Sequence, residues 1–545
     1  MQNLTVQKVC LALITLGFLV AAPWITSETL EGNTLPMVTL GGIAVVLLFV
    51  YGLGDRCWMI IPFCLPIEGN LNFVPFGFSI QELAIITVYC YLLLKMIFGQ
   101  DVAWKIGPAM LWVPLLGVLA VIFYHWIVSG DIGIRMLGGT GWGGRRYFKV
   151  VLAALTVPLL ASYPALKWQD LMKVPLIYFF GSFVDIVPEL LTTFFPASAP
   201  LVWRFYSGVN LGEYGATLRG NFAGEQGISR IGTLAKVGTA LGLVCLCYFP
   251  PRVWLQPNRL WVFPCLILGG LLCGLSGFRN TILRYGLAVV AALFATVRFR
   301  SLLLLPVLAS AALVIGFTQG TVFDYPITLQ RALSFFPGNW DAKAVEEAEG
   351  STKWRKRIRE LYWNEYFAKA PLMGQGYHFD PNLAKQETDV YLALAKRRYD
   401  AGDEYATERN YMEMRQPHEG PIHILLVTGL VGSFFFVAYC AALLIFAFGA
   451  VIRIPSRQVT PVQIWAVALI LPQVVGFFTV FGDLTNFLIQ VCPIITLLYR
   501  TERLKRILQE APLPNLTEEA SAAQPHSGIS TTAFGWHSRP PTVAP

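Results

Sequence analysis

Two histidines lie where the most charged part of this chain meets an unbroken apolar segment, in the stretch HEGPIHILLVTGLVG from His418 to Gly432. A histidine titrates near neutral pH and can therefore remove a proton from a hydroxyl group. His418 and His423 are five residues apart, whereas paired metal ligands on a helix usually stand at i and i+4 with further ligands nearby. No HExxH motif or Cys/His cluster accompanies them, so we expect no metal. His418 is either a general base or a polar residue at a wet helix mouth, and His423 is a packing or supporting residue.

Four arginines are candidates for binding an anion, because a guanidinium offers several donors to phosphoryl oxygens in a fixed fork. Arg279 occupies a very short polar turn between two apolar segments, where the alternative role is contact with lipid headgroups. Arg219 and Arg230 flank the stretch GNFAGEQGIS, which is otherwise an ordinary interfacial loop. Arg359 lies four residues before Trp363 on one face of a predicted helix, in a basic run that also suits a solvated helix face.

The segments that must position these side chains are apolar and long. The chain has 545 residues, 55% of them hydrophobic and 14% charged, with a mean hydropathy of +0.56, as is typical of a polytopic membrane protein. We expect an all-α fold with about 12 to 14 transmembrane helices, because apolar runs able to cross a hydrocarbon core of roughly 30 Å recur along the chain. The stretch from Cys57 to Ile67 is either a further short crossing or a re-entrant piece. The predicted spans lie near residues 8–23, 37–54, 80–98, 108–129, 147–162, 174–195, 231–249, 260–276, 281–297, 301–317, 421–449, 462–481 and 484–500.

A long polar insertion, residues 318–420, holds 14 Lys or Arg and 16 Asp or Glu, which is 30 of the chain's 74 charged residues. We predict helices in it at Thr352–Lys369 and Thr388–Tyr399. Three spans and a basic, cytoplasmic-type end follow the insertion, so it is predicted to be exoplasmic. The predicted division is an N-terminal transmembrane bundle (1–317), an exoplasmic or periplasmic loop domain (318–420), C-terminal transmembrane helices (421–500) and a disordered cytoplasmic tail (501–545).

Composition and missing motifs exclude several classes of protein. The net charge of +8 arises largely at helix ends, so nucleic acid is not needed to explain it. All ten cysteines lie in or beside apolar runs, which argues against a disulfide framework or a CxxC-type metal site. The chain lacks GxxxxGK[ST], so an ATP-driven pump is not expected.

Three stretches together resemble the O-antigen ligase and O-antigen polymerase superfamily of bacterial envelope glycosyltransferases. That family's Ser-Gly-x-Arg turn is similar to LSGFRNTIL at residues 275–283. Its Arg, Trp, Pro and Gly-x-Gly pattern is similar to RELYWNEYFAKAPLMGQGYHF at 359–379, and its His before a Gly-x-x-Gly helix start is similar to HEGPIHILLVTGLVG. The resemblance covers the chain from about residue 200 to residue 500.

The resemblance implies a polyprenyl-diphosphate-linked glycan donor, arginines that hold the diphosphate, a histidine that assists the acceptor, and no metal or other cofactor. It implies that His418 is catalytic and that Arg279 and Arg219 bind the diphosphate, although LRGNF only approximates the family's earlier arginine element. Asn usually follows the histidine in that family, and Glu419 in its place could orient His418 or alter its basicity. The candidate supporting residues are Arg230, Arg359 and Glu419.

We therefore predict a metal-independent, inverting glycosyltransferase of the bacterial inner membrane. It would move a glycan from a lipid diphosphate to a hydroxyl of another glycan or of the lipid A core. Its expected partners are the lipid-linked donor, that acceptor and membrane lipid, and not nucleic acid. One alternative is a transporter or flippase that passes an anionic lipid-linked substrate along the same arginines, and a weaker one is a structural membrane scaffold.

Overall fold

The computed structural model describes residues 41–42, 44, 48–72, 78–129, 144–207, 231–254, 256–378 and 405–510. The predicted span at 8–23 and the predicted helix Thr388–Tyr399 lie outside the described residues.

The described residues confirm an all-α membrane protein. The helices are α1 (Ile60–Cys64), α2 (Ile80–Ile97), α3 (Ala109–Ser129), α4 (Gly144–Ser162), α5 (Trp168–Leu171), α6 (Val174–Phe194), α7 (Ala199–Phe205), α8 (Gly232–Tyr248), α9 (Val262–Leu275), α10 (Arg279–Val297), α11 (Leu304–Thr318), α12 (Ile327–Leu333), α13 (Ala342–Leu361), α14 (Ala406–Glu413), α15 (Gly420–Ile452), α16 (Pro461–Thr479) and α17 (Leu484–Glu510). Two short strands, β1 (Asn70–Leu71) and β2 (Tyr206–Ser207), pair antiparallel.

Eight helical segments of the described chain are long and apolar enough to cross a membrane. They are α2, α3, α6, α9 with its preceding turn, α10 with its following turn, α15, α16 and α17. The apolar helices α8 and α11 are shorter. The segment predicted as a short crossing or re-entrant piece is a 3-10 turn, Gly54–Met59, followed by α1, and it buries Cys57 and Trp58 in the bundle.

Ionic and capping contacts explain how a basic helix enters this bundle. Ser79 and Glu82 form a reciprocal capping box that starts α2, and the same Glu82 carboxylate accepts a hydrogen bond from Arg145 at 2.7 Å. Arg145 belongs to α4, which packs along α17. A buried arginine in a membrane bundle is tolerated when it has such a partner.

The last helix extends beyond the predicted membrane end. The segment 501–545 is predicted to be disordered, but α17 continues to Glu510, so residues 501–510 are helical. Arg500 donates to the carbonyl of Ala161 at 2.9 Å, Thr501 is buried, and Leu504 packs against the core. Apolar contacts on one helix face therefore outweigh the basic composition of this stretch.

The long insertion forms helices that pack onto the membrane part. Helix α13 begins ten residues before the predicted start, because the Asp341 side chain caps it by accepting from the backbone N–H of Lys343 at 2.8 Å. A π turn at Tyr362–Tyr366 and a 3-10 turn at Phe367–Lys369 follow. Their apolar side chains share a core with α14 and the start of α15, which comprises Ile358, Leu361, Tyr362, Tyr366, Met412, Ile422 and Leu426.

Helix α15 is interrupted at Gly429, where φ is 61° and ψ is −164°. The loop segment 371–376 fills the break. The backbone N–H of Leu430 donates to the carbonyl of Pro371 at 2.9 Å, and that of Gly376 donates to the carbonyl of Val427 at 3.0 Å. Non-helical backbone within a membrane segment needs partners of this kind, since no water is present to supply them.

Glycines in the loop and in α15 allow the segment 371–376 to fill the break in the helix. A Cβ on Gly429 would lie 2.3 Å from the carbonyl oxygen of Leu372, and one on Gly374 would lie 2.5 Å from the Gly429 nitrogen. Both glycines also have positive φ. The Gly-x-Gly and Gly-x-x-Gly patterns therefore allow the loop to pack against the backbone of α15.

Candidate functional site

A cavity of about 1170 Å³ lies between the membrane helices and the loop helices. Its walls come from α6, α8, α10, α16 and α17 on the membrane side and from α12, α13 and α14 of the insertion. His418 and Arg279, which are 139 positions apart in the sequence, both line it. The fold therefore brings together the predicted base and the predicted phosphate-binding arginine.

His418 is held in an aromatic surround just before α15. Its ring stacks on Phe481 with centroids 5.1 Å apart, and it meets Tyr411 edge-on at 5.0 Å and Trp354 at 6.0 Å. Its φ of +54° is unusual for a residue with a side chain, although histidine adopts it more readily than most. Strained backbone of this kind concentrates at functional sites because the surrounding structure must enforce it.

The surroundings of His418 favour the neutral imidazole. Burial lowers the pKa of His418 below its ordinary 6.5, the carboxylate of Asp483 opposes that shift, and Arg146 adds to it. A neutral imidazole at physiological pH has a free lone pair, which a general base requires.

Asp483 lies between α16 and α17 and lines the same cavity. Burial alone would raise its pKa, but His423, Arg146 and hydrogen bonds from Thr485 and the backbone of Asn486 lower it to about 2. Its Oδ2 is 3.7 Å from Nε2 of His423. Asp483 is therefore a fixed negative charge close to both histidines.

His423 has the supporting position predicted for it. The side chain is 1% exposed, and its Nε2 is 3.5 Å from the hydroxyl of Tyr377. Tyr377 in turn donates its backbone N–H to the hydroxyl of Tyr147 at 2.7 Å. This chain of contacts connects α15 to the inserted loop and to α4.

Arg279 is the first residue of α10, and its Nη2 donates to the carbonyl of Ala348 at 2.5 Å. Arg355, about two turns after Ala348 on α13, also lines the cavity. Burial lowers the pKa of Arg355, while Glu419 opposes the shift and Arg359 adds to it. A poorly hydrated guanidinium beside a second one favours an anionic ligand, because the anion relieves both desolvation and repulsion.

Arg359 and Glu419 contact each other beside the cavity. Arg359 Nε is 3.2 Å from Glu419 Oε1, an ion pair that joins α13 to the start of α15. Burial raises the pKa of Glu419, and Arg359 and Arg355 oppose the shift. Glu419 is therefore paired with Arg359 of α13. The ring of His418 contacts aromatic side chains instead.

Two predicted site residues, Arg219 and Arg230, lie outside the described residues. Asp483 and Arg355 are among the cavity residues that were missed in the sequence. Asp483 has a usable signal, since a lone acidic residue between two apolar spans is costly unless it has a function or a partner. Arg355 has none, because nothing in the run from Lys353 to Arg359 shows which basic side chain turns inward.

Residues 264–437 match the O-antigen ligase family model. The match extends from α9 to the middle of α15 and includes Arg279, the long insertion and His418. It confirms the resemblance to the O-antigen ligase and polymerase superfamily, and it supports glycan transfer of the ligase or polymerase kind as the activity. No curated protein matched the chain.

Proposed function

We propose that this membrane protein transfers a glycan from a polyprenyl-diphosphate donor to a hydroxyl of an acceptor, which is a growing polysaccharide or the lipid A core. The observation that carries the proposal is the shared cavity, which places His418 and Asp483 with Arg279 and Arg355 beneath the loop helices. The family match supports the same class of reaction. The proposed setting is the bacterial inner membrane, with the cavity open to the exoplasmic side.

His418 acts as the general base in the proposed step. Its imidazole accepts the proton of the acceptor hydroxyl while the oxygen attacks the anomeric carbon of the donor sugar. The bond between that carbon and the diphosphate oxygen breaks, and its electron pair leaves with the diphosphate. One displacement at the anomeric carbon inverts its configuration. The field of Asp483 stabilises the imidazolium formed in this step.

Arg279 and Arg355 stabilise the charge that develops on the diphosphate. The leaving group gains negative charge as the glycosidic bond breaks, so guanidinium donors bind it more strongly in the transition state than in the ground state. Arg219 is proposed for the same role from the loop that precedes α8. No metal is invoked, because the arginines supply the positive charge.

The proposed domains supply different walls of the cavity. The transmembrane bundle of residues 1–317 and the helices of 421–500 supply the membrane-side walls, while the domain of residues 318–420 closes the cavity from the exoplasmic side. Arg230, Arg359 and Glu419 are proposed as supporting residues. The Arg359–Glu419 ion pair fits a role in holding the loop domain against α15.

The proposal is tested with purified protein in liposomes, a lipid-linked glycan and a glycan acceptor. Asn tolerates the left-handed backbone of position 418 but cannot act as a base, so His418→Asn isolates the chemistry. We expect transfer to fall by about 10²- to 10⁴-fold. His378→Asn, at an exposed histidine of the insertion, is the control and should transfer at the wild-type rate.

A transporter or flippase remains the competing function. It predicts movement of the lipid-linked glycan across the bilayer with no new glycosidic bond, and tolerance of His418→Asn. Mass spectrometry of the products distinguishes the two, because only the transferase yields the glycosylated acceptor together with free polyprenyl diphosphate.

A further inference from the structure

Arg284 is an arginine inside a membrane helix that the roles assigned above do not use. It lies on α10, five residues after Arg279, which places its Cα roughly 7.5 Å further from the mouth of the cavity. Arg284 lines the cavity, and its Nε is inaccessible to solvent and has no hydrogen-bond partner within the described residues. An unpaired guanidinium at such a depth is costly and indicates that a ligand completes its contacts.

The neighbouring carboxylates are already paired. Lys236 contacts Asp185 at 2.7 Å and Glu68 at 3.4 Å, and Asp185 also accepts the backbone N–H of Glu68 at 3.1 Å. Glu68 attracts Arg284 only from beyond ion-pair distance. This network therefore holds α6 and α8 together and leaves Arg284 without an ion pair among the described residues.

Gly476 makes room for this guanidinium. A Cβ at that position would lie 2.7 Å from Nε and 2.9 Å from Nη2 of Arg284. Gly476 is three residues from the end of α16, so the guanidinium lies within about one turn of the cavity mouth, as expected for a side chain that tilts toward the start of its helix. The segment that begins at Gly476 also carries Phe481, which stacks on His418. Arg284 is thus close to the proposed reaction centre and on its membrane side.

We propose that Arg284 binds the phosphate attached to the prenyl chain, while Arg279 binds the phosphate attached to the sugar. This inference rests on the proposed function. A lipid whose tail lies among the helices presents its prenyl-linked phosphate deeper than its sugar-linked phosphate. Two guanidinium groups at two depths of α10 match that order and hold the diphosphate along the helix axis.

The assignment is tested by binding, without transfer, of polyprenyl diphosphate and polyprenyl monophosphate to the purified full-length protein. Arg284→Gln should weaken both lipids by about 10- to 100-fold, because both carry the prenyl-linked phosphate. Arg279→Gln should weaken the diphosphate by a similar factor and the monophosphate by less than about threefold. Gly476→Ala should act like Arg284→Gln, since the added methyl group displaces the guanidinium while keeping its charge. Arg300→Gln, an exposed arginine in the turn after α10, should leave both affinities unchanged.

The melting temperature without lipid separates binding from a structural role. Removal of an unpaired buried cation relieves its desolvation, so Arg284→Gln should melt no lower than wild type. A lower melting temperature, or wild-type affinity of Arg284→Gln for both lipids, overturns the assignment while leaving the proposed function intact. Loss of diphosphate binding alone in Arg284→Gln also overturns it. A wild-type protein that binds neither lipid contradicts both this assignment and the proposed function.

Discussion

Replacing Asp483 with Asn should change both the stability of the protein and the pH dependence of transfer. The pKa of Asp483 is about 2 instead of its ordinary 3.8, which corresponds to at most about 2 kcal/mol of folded-state stability. The contribution at neutral pH is smaller, because the buried His423, the first cause of the lowered pKa, is neutral there and Arg146 and the two hydrogen bonds act alone. For a carboxyl group with a lowered pKa, this contribution is present above the ordinary value and disappears as the pH falls through about 2. Asp483→Asn should therefore lower the melting temperature by a few degrees at pH 7.

The same change should move the acidic limb of the rate profile. Asp483 raises the pKa of His418 against the effect of burial, so removing the charge lowers that pKa further. His418 then stays neutral to a lower pH, and the acidic limb of kcat/KM shifts in the acidic direction. The plateau rate falls, because a less basic imidazole is a weaker general base and its protonated form loses a nearby negative charge.

The assay is kcat/KM for glycan transfer between pH 4.5 and 8.5, with wild type, Asp483→Asn and the control Asp324→Asn measured in the same liposomes. Asp324 is exposed in the insertion, so its substitution should leave both the limb and the melting temperature unchanged. An acidic limb of Asp483→Asn that stays in place or moves to higher pH would refute the electrostatic coupling between Asp483 and His418.

Three further outcomes are expected. Gly429→Ala should destabilise the protein by at least about 1–3 kcal/mol, because its φ and ψ suit only glycine and a Cβ would clash with the segment 371–376. The measurement is a melting experiment, and its control is Gly286→Ala, where a Cβ meets open space. Glu419→Gln should change the free energy of unfolding by less than about 1 kcal/mol, because its Arg359 partner is half exposed, and a larger loss would contradict that assignment. Chelation of divalent metals should leave the transfer rate unchanged, and a rate that falls with chelator and recovers with added metal would contradict the metal-free mechanism.

Much of the membrane architecture could be predicted because hydropathy follows from a simple length requirement. The spans predicted near 80–98, 108–129 and 421–449 correspond to α2, α3 and α15. The insertion was predicted because charge is expensive in hydrocarbon. The break at Gly429 could not be predicted, since it depends on backbone partners that come from 371–376, more than fifty positions earlier.

The candidate site shows the same limit. Arg279 and His418 could be proposed because each is a costly residue at the edge of an apolar run, and the structure places both in one cavity. The partner of Glu419 could not be predicted, since its choice of Arg359 depends on how α13 lies against α15. Tertiary packing, and not local sequence, decides which of several nearby charges meet.

A single transfer experiment tests directly whether the protein forms a glycosidic bond with His418 as the base. Purified wild-type protein and His418→Asn are reconstituted in liposomes with a lipid-linked glycan and an acceptor, and the formation of the glycosidic bond is followed by mass spectrometry. Wild type should yield a glycosylated acceptor and one free polyprenyl diphosphate per transfer, and His418→Asn should transfer about 10²- to 10⁴-fold more slowly. Bond formation at the wild-type rate by His418→Asn, or movement of the lipid-linked glycan without a new bond, would contradict it.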